Sequence, residues 1–280
     1  MRPKTWLVTG SSRGFGRAIA RAALERGDQV VATARRPEQL DDLVETYGGR
    51  IRTTALDVTD ARAARDAVAV ATGAFGRLDV VVNNAGYANS APIEEMDERD
   101  FRAQVEANLF GVVNVTRAAL PVLRGQRSGV IVQFSSIGGR VGGTPGLGAY
   151  QAAKFGVEGF SEVLANEVAP FGVKVVIVEP GAFRTDWQGA SMRRHAVGPD
   201  YAATVGELHR LRDRTDGTQP GDPARAARII LDVVGLDDPP RRLLLGADAV
   251  SMAREAERRR AEELERWADL SASPTFAEVA

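Results

Sequence analysis

Seven short runs rich in β-branched residues recur along the chain, each separated from the next by a longer, Ala-rich stretch. The runs are 5–9 (TWLVT), 29–34 (QVVATA), 51–56 (IRTTAL), 78–82 (LDVVV), 129–134 (GVIVQF), 173–178 (VKVVIV) and 241–245 (RRLLL). The stretches 14–27, 37–47, 60–75, 97–123, 150–169 and 222–235 carry apolar residues at helical spacing. Runs such as VVV and VIV are apolar on both faces, as parallel strands buried between helices must be. The alternation predicts an α/β chain with a doubly wound Rossmann fold: a seven-stranded, mostly parallel sheet with helices on both faces. No linker or repeat divides it, so 1–247 reads as one domain. Residues 248–280 read as a C-terminal helical extension. Its charged segment 248–270 carries Val250, Met252, Ala256, Leu264 and Trp267. Such a stripe packs on its own domain or on a partner subunit.

Composition removes several function classes. The chain has no Cys and two His, His195 and His209. Disulfide scaffolds, Cys–zinc sites and Cys nucleophiles are therefore out, and a Ser–His–Asp triad is a poor fit. A net charge of −1 gives no electrostatic reason for a nucleic-acid partner. No apolar run approaches the roughly 18 residues of a membrane span. A strand starting by Thr5 leaves no room for a signal peptide, so a cytoplasmic location is expected.

The segment TWLVTGSSRGFGRAIA joins the first strand to the first helix through Gly10, Gly14 and Gly16. Gly10 permits the tight turn and Gly14 lets backbone approach a pyrophosphate. Gly16 lets the helix sit close to the sheet, with its N-terminus facing the anion. Placed after the first strand of an α/β chain, this turn predicts a dinucleotide site. An acid ending the second strand would hold the ribose 2′-hydroxyl of NAD. That strand ends instead in Ala34-Arg35-Arg36. A guanidinium grips a 2′-phosphate that a carboxylate would repel, so Arg35, with Arg13 as a second candidate, predicts NADP(H).

Tyr150 and Lys154 stand one helical turn apart in GLGAYQAAKFG, in a chain with four Tyr and only three Lys, the others being Lys4 and Lys174. Alone, the pair is equally a core tyrosine and a surface lysine facing Glu158. Its neighbours change that. The pieces TGSSRGFG (9–16), LDVT (56–59), NNAG (83–86), ANLFG (107–111), FSS (134–136), YQAAK (150–154) and EPGAFRT (179–185) occur in this order over about residues 4–186. Together they resemble the short-chain dehydrogenase/reductase family of about 250 residues.

The resemblance implies roles residue by residue. Gly10, Ser12, Arg13, Gly14, Phe15 and Gly16 would cradle the cofactor. Asp57 and Val58 would border the adenine. Asn84, Ala85 and Gly86 would pass under the adenosine ribose and the nicotinamide side. Pro180, Gly181, Phe183 and Thr185 would face the nicotinamide. Tyr150 and Lys154 would hold its ribose and, with Ser136 and Asn108, form the catalytic tetrad. The family's serine usually lies 13 residues before its tyrosine, whereas Ser136 lies 14 before Tyr150, so GGRVGGTPGLGA carries one extra residue. Ser136 is preferred over Ser135, and strand alternation supports a single choice, since neighbouring side chains point opposite ways.

These residue types suit hydride transfer with a coupled proton. The cofactor carries the redox chemistry and the protein supplies position and acid–base groups. Lys154 would favour tyrosinate at Tyr150, Ser136 would bond the substrate oxygen, and Asn108 would hold a relay water. The expected activity is an NADP(H)-dependent alcohol dehydrogenase or carbonyl reductase on a hydrophobic organic substrate. A non-catalytic NADP(H)-binding sensor or regulator, and a redox-neutral epimerase or dehydratase, stay open. Residues 182–220 are polar and too long for an ordinary connection, so they read as a substrate lid. Trp187, Met192, His195 and Tyr201 are its candidate lining residues. The resemblance also suggests a homodimer or homotetramer through the 97–123 and 150–169 helices.

Overall fold

The computed structural model describes residues 2–189 and 191–276. Position 190 of the expected lid and residues 277–280 of the expected extension lie outside the described residues. The order is β1 (Thr5–Val8), α1 (Gly14–Glu25), β2 (Gln29–Ala34), α2 (Asp41–Tyr47), β3 (Ile51–Ala55), α3 (Ala61–Phe75) and β4 (Val80–Asn83). Then follow α4 (Glu98–Val105), α5 (Gly111–Gln126), β5 (Gly129–Phe134), α6 (Ile137–Arg140), α7 (Gly148–Val168) and β6 (Val173–Pro180). The chain continues through α8 (Glu207–Thr215), α9 (Pro223–Val234), β7 (Arg242–Leu245) and α10 (Ala247–Ala272).

The strands form one sheet in the order β3-β2-β1-β4-β5-β6-β7, and every neighbouring pair is parallel. Strand order reverses between β1 and β4. In open parallel sheets, the crevice beyond the strands' carboxyl ends at such a reversal is where ligands bind.

Alternation along β1 sends Trp6 and Val8 to one face and Leu7 to the other. The first face is covered by α1 and α9, through Ile19, Leu24, Ile230 and Leu231, all fully buried. The second is covered by α3, α5 and α7, through Val68, Val115, Leu123 and Leu164. Each such side chain contributes about 1.5–3 kcal/mol by leaving water. Helix starts follow local chemistry. The carboxylates of Asp60, Asp97 and Asp222 accept from the first-turn amides of α3, α4 and α9.

Three segments differ from the sequence reading. The 97–123 stretch is not one helix: a π-helical turn, Glu106–Phe110, separates α4 from α5 and carries Asn108. The 182–220 stretch contains α8, entered through a second π-helical turn at Ala202–Gly206. Within α8 the buried residue is Arg212, so there was no apolar period to read. On α10 only Ala249 and Ala253 are buried, against Ile137, Val141 and Leu244. Met252, Leu264 and Trp267 are exposed, so the expected stripe is not covered by its own domain. Among the described residues no helix is long and apolar enough to cross a membrane.

Candidate active site

The glycine turn closes on itself. Gly10 and Gly14 have φ of 68° and 55°, the left-handed region that favours glycine. A Cβ on Gly16 would lie 2.3 Å from the Gly10 carbonyl oxygen, so no larger residue lets α1 approach this closely. Thr9 Oγ1 accepts from the amides of Asn84 and Ala85, both at 3.0 Å. Asn84 Nδ2 returns bonds to the carbonyls of Thr9 (2.9 Å) and Gly10 (3.2 Å). The Asn84 side-chain amide therefore latches the turn to the end of β4. At the start of α1, Arg13 makes no capping bond, and no acid stands in the first turn. These amides keep their capacity for an anion, as the capped starts of α3, α4 and α9 do not.

Beyond β2 and β3 lies a polar shelf. Arg35 and Arg36 are exposed, and Arg13 is exposed across the turn. Asp57 Oδ1 accepts from the Thr59 amide (3.0 Å) and hydroxyl (2.8 Å). Val58 is buried where Gly111 leaves room for it: a Cβ on Gly111 would meet the Val58 side chain at 2.5 Å. Tyr87 was not singled out from sequence, yet its phenol feels Arg35, Asp57 and Asp100. Burial first, then Asp100, pushes its pKa up.

The cavity at the carboxyl ends of β4, β5 and β6 holds about 300 Å³. Its wall includes Phe15, Asn84, Gly86, Asn108, Ser136, Tyr150, Lys154, Pro180, Gly181, Phe183 and Thr185. Gly10, Ser12, Arg13, Gly14, Gly16, Arg35, Asp57, Val58 and Ala85 lie outside this wall, along the turn and the shelf. The two parts meet where Thr185 faces Gly14: a Cβ there would lie 3.5 Å from the Thr185 Cβ. Phe15 packs between Phe134 and Phe183, with ring centroids 5.3 and 4.8 Å away.

Tyr150 and Lys154 share one face of α7, as residues four apart on a helix do. Both are buried. Lys154 Nζ donates to the Phe134 carbonyl oxygen at 2.7 Å and lies 5.6 Å from the Tyr150 ring centroid. An ammonium has three donors, so two remain for a ligand. Burial pushes the Tyr150 hydroxyl up to about 12, with Ser136 pulling the other way. Burial also lowers Lys154 to about 8, against an opposing pull from Glu158. The expected lowering of the tyrosine by Lys154 does not act here: burial sets the direction, and Ser136 alone opposes it. Glu158 is not a surface partner of Lys154. It is buried and paired with Arg242 at 2.9 Å.

Ser136 opens α6, and its Oγ accepts from the Gly138 amide at 3.1 Å. Ser135 is buried, and its hydroxyl finds no hydrogen-bond partner among the described residues. Between Ser136 and Tyr150 run α6 and a loop with Gly142, Gly143 and Gly146 at φ of 71°, 77° and 79°. Gln151 fixes that loop, accepting from the Thr144 amide at 3.2 Å and donating to its hydroxyl at 2.9 Å. The side chain of Asn108 is occupied. Its Nδ2 donates to the carbonyls of Tyr87 (2.8 Å) and Gln104 (2.7 Å), and its Oδ1 accepts from the Tyr87 amide (3.1 Å).

Two supports were invisible in the sequence. Asp248, on the first turn of α10, accepts from the Ala182 amide at 2.7 Å and fills the space that a Cβ on Gly181 would need. Arg140, just past Ser136, bonds the fully buried Glu179 at 3.3 Å and pairs with Glu257 of α10. These contacts join residues 39, 66 and 117 positions apart, with no local spacing to betray them.

The 182–220 segment folds over the cavity. Trp187 packs on Tyr150, centroids 5.2 Å apart, and lines the cavity. Met192 is buried behind it with Ala88 and Leu147. His195 and Tyr201 are outside the wall. His195 Nε2 is bonded to Asp100 at 2.8 Å, and the Tyr201 hydroxyl donates to Glu94 at 2.7 Å. They tie the segment to residues 94–100 instead of lining the cavity.

Comparison with known proteins agrees with this architecture. The short chain dehydrogenase family profile matches residues 4–195. The chain is 53% identical over 269 residues to Oxidoreductase BOA17 of Botryotinia fuckeliana, covering 96% of this chain and 98% of that protein. It is 36% identical over 250 residues to a 3-ketodihydrosphingosine reductase of Bacteroides thetaiotaomicron, covering 88% and 89%. Among solved structures, a short-chain dehydrogenase from Streptomyces avermitilis superposes with a TM-score of 0.92 at 44% identity, covering 98% of this chain and 100% of the other. An alcohol dehydrogenase from Thermococcus sibiricus, complexed with 5-hydroxy-NADP, gives 0.70 at 26% identity, covering 87% and 96%. With its seven-stranded parallel sheet, its glycine turn at the strand-order reversal and these relatives over nearly its whole length, the chain belongs to the short-chain dehydrogenase/reductase family of oxidoreductases.

Proposed function

We propose that this protein is an NADP(H)-dependent alcohol dehydrogenase or carbonyl reductase acting on an organic ketone or secondary alcohol with a substantial apolar body. The observation that carries the reading is the convergence of Tyr150, Lys154 and Ser136 on one cavity at the sheet's strand-order reversal. The whole unit 1–247 works as one catalytic domain, with 182–220 as its lid and α10 as a helical extension.

The chain's own groups fit a nicotinamide dinucleotide. The uncapped start of α1 and the Gly10–Gly16 turn suit a pyrophosphate. The two unused donors of Lys154 and the hydroxyl of Tyr150 suit a ribose. Arg35 and Arg13, exposed and with no acid ending β2, suit a 2′-phosphate and favour NADP(H) over NAD. When bound, the nicotinamide supplies or accepts the hydride. In the reductive direction Tyr150 gives its proton to the carbonyl oxygen while Ser136 donates a hydrogen bond to the same oxygen. Lys154 holds its charge beside Tyr150 and steadies the tyrosinate left behind. Asn108, whose side chain braces the Tyr87 backbone, positions the cavity floor beside Gly86. Trp187 and the lid keep water from the reacting carbon.

The test is NADPH oxidation, with NADH as control, across ketones and aldehydes of graded size. Turnover with NADPH favoured supports the reading, and tight NADPH binding without turnover of any member would favour the sensor. Exposed Phe110, Phe155 and Val163 on the α5 and α7 side support a homodimer or homotetramer, which light scattering would measure. A cytoplasmic location belongs to the same reading and is tested by cell fractionation.

A further inference from the structure

Arg212 is the one buried arginine among the described residues, at 7% exposure. It stands on α8 of the lid and lines the same cavity as Tyr150 and Ser136. Among the described residues no carboxylate lies within 4.0 Å of it. Its one side-chain hydrogen bond is long, from Nη1 to Ser90 Oγ at 3.4 Å, and that hydroxyl already contacts His209 Nε2 at 2.8 Å. Of the other lid arginines, Arg193 and Arg214 stand exposed in solvent, and the remaining three have partners, although Arg194 Nε itself has none among the described residues. Arg194 pairs with Asp213 and bonds the Gln188 carbonyl at 2.7 Å, Arg184 bonds the Gln219 carbonyl at 2.8 Å, and Arg210 pairs with Glu207 at 2.7 Å.

A guanidinium carries five donors in a planar fork and does not give up its charge at neutral pH. Burying it without a counter-charge is unfavourable, and desolvation, with Arg194 nearby, lowers its pKa to about 10. The cavity wall offers a single carboxylate besides, Asp248, and that group is bonded to the Ala182 amide. Arg212 thus lacks a partner that something entering the cavity would bring. The same wall carries the apolar side chains of Ile137, Leu147, Trp187 and Met252.

We infer that Arg212 is a specificity residue that binds an anionic group of the substrate, so that the enzyme acts on a keto acid or hydroxy acid whose carboxylate is separated from the reacting carbon by an apolar spacer. This rests on the carbonyl-reductase reading above. A phosphate of the dinucleotide is the other possible source of an anion. The Arg212 guanidinium, however, contacts Ser90, and its backbone carbonyl accepts from Gln188 of the lid, whereas the bare start of α1, Arg13 and Arg35 lie along the glycine turn and shelf.

The probes are methyl ketones ending in a carboxylate, with alkyl spacers of graded length, each compared with its methyl ester under NADPH. The readout is the acid-to-ester ratio of kcat/KM within each enzyme. In the unmodified enzyme the ratio is expected to exceed about tenfold at one spacer length, and Arg212→Gln is expected to bring it to about one or below. Arg212→Lys, which keeps charge but loses the fork, should fall between. The unmodified enzyme's ratio needs no variant, so a variant that fails to fold leaves the test intact. A ratio of one or less at every spacer, with esters reduced, overturns this inference alone. A ratio retained in Arg212→Gln overturns it as well. Loss of NADPH affinity in Arg212→Gln with the ratio unchanged assigns the anion to the cofactor and also overturns it. No reduction of any ester or acid overturns the carbonyl-reductase reading and this inference with it.

Discussion

Lys154 lies against the ring of Tyr150 and anchors on the Phe134 carbonyl, 2.7 Å away at the end of β5. One helical turn of α7 and one strand end thus fix the ammonium and the phenol together. Both are buried, and burial acts on them in opposite senses: the phenol rises to about 12 and the ammonium falls to about 8. At neutral pH Tyr150 holds a proton to give, and Lys154 holds most of its charge at a cost to the fold.

That cost can be measured. The folded pKa of Lys154 is about 8 against an ordinary value of 10.5. Between those values the unfolded chain binds a proton that the folded chain does not, so stability rises with pH through that window. Below it the penalty is complete. Lys154→Met should therefore raise the stability of the cofactor-free protein at pH 7 by about 2–3 kcal/mol and flatten that rise, while abolishing turnover. Thermal melts at several pH values check this, and a less stable variant at neutral pH would contradict it.

Cofactor choice rests on the end of β2. Arg35→Asp places a carboxylate where a 2′-phosphate would sit, and should shift the NADPH-to-NADH ratio of kcat/KM by about tenfold to a hundredfold toward NADH. Steady-state kinetics with both cofactors measure it. An unchanged ratio would remove Arg35 from the account.

The glycine turn has one position with no room at all. Gly16→Ala would set a methyl 2.3 Å from the Gly10 carbonyl and 2.5 Å from Asn84 Nδ2. Backbone must move, at a cost of about 1–3 kcal/mol, and the turn must open. A lower melting temperature together with weaker NADPH binding by fluorescence titration is the expected outcome. Gly73, where nothing lies within 4 Å of a Cβ, is the control: Gly73→Ala should be neutral or stabilising.

Asp248 supports the 180–185 segment from α10. Asp248→Ala leaves the Ala182 amide without its partner and empties the space beside Gly181. A loss of about 1–3 kcal/mol is expected. It should appear chiefly as a raised KM for the cofactor, because Pro180, Gly181 and Phe183 lose their backing. An unaltered KM would remove Asp248 from the account of the cofactor site.

The parts legible in the sequence were those with local periods. Strands such as GVIVQF show burial on both faces, and Gly10, Gly14 and Gly16 show a turn entering a helix. The Tyr150–Lys154 spacing places both on one face of α7. The parts that were not legible depend on contacts across long separations. Asp248 reaching Ala182 and Arg140 reaching Glu179 leave no periodic trace. Helix α8 was hidden for a related reason, since its buried face carries Arg212 instead of an apolar stripe. His195 and Tyr201 were expected in the cavity because aromatic residues in a long loop suit a lid. Instead, Asp100 and Glu94 hold them outside it.

The central claim is that Tyr150 moves a proton during hydride transfer, and Tyr150→Phe tests it by removing one oxygen from a buried ring. NADPH oxidation on the best ketone of the graded panel, with NADPH affinity measured in parallel, gives the comparison. The expected result is a kcat lowered by about 10²–10⁴-fold in a folded variant that still binds NADPH. Full turnover by Tyr150→Phe would contradict the account.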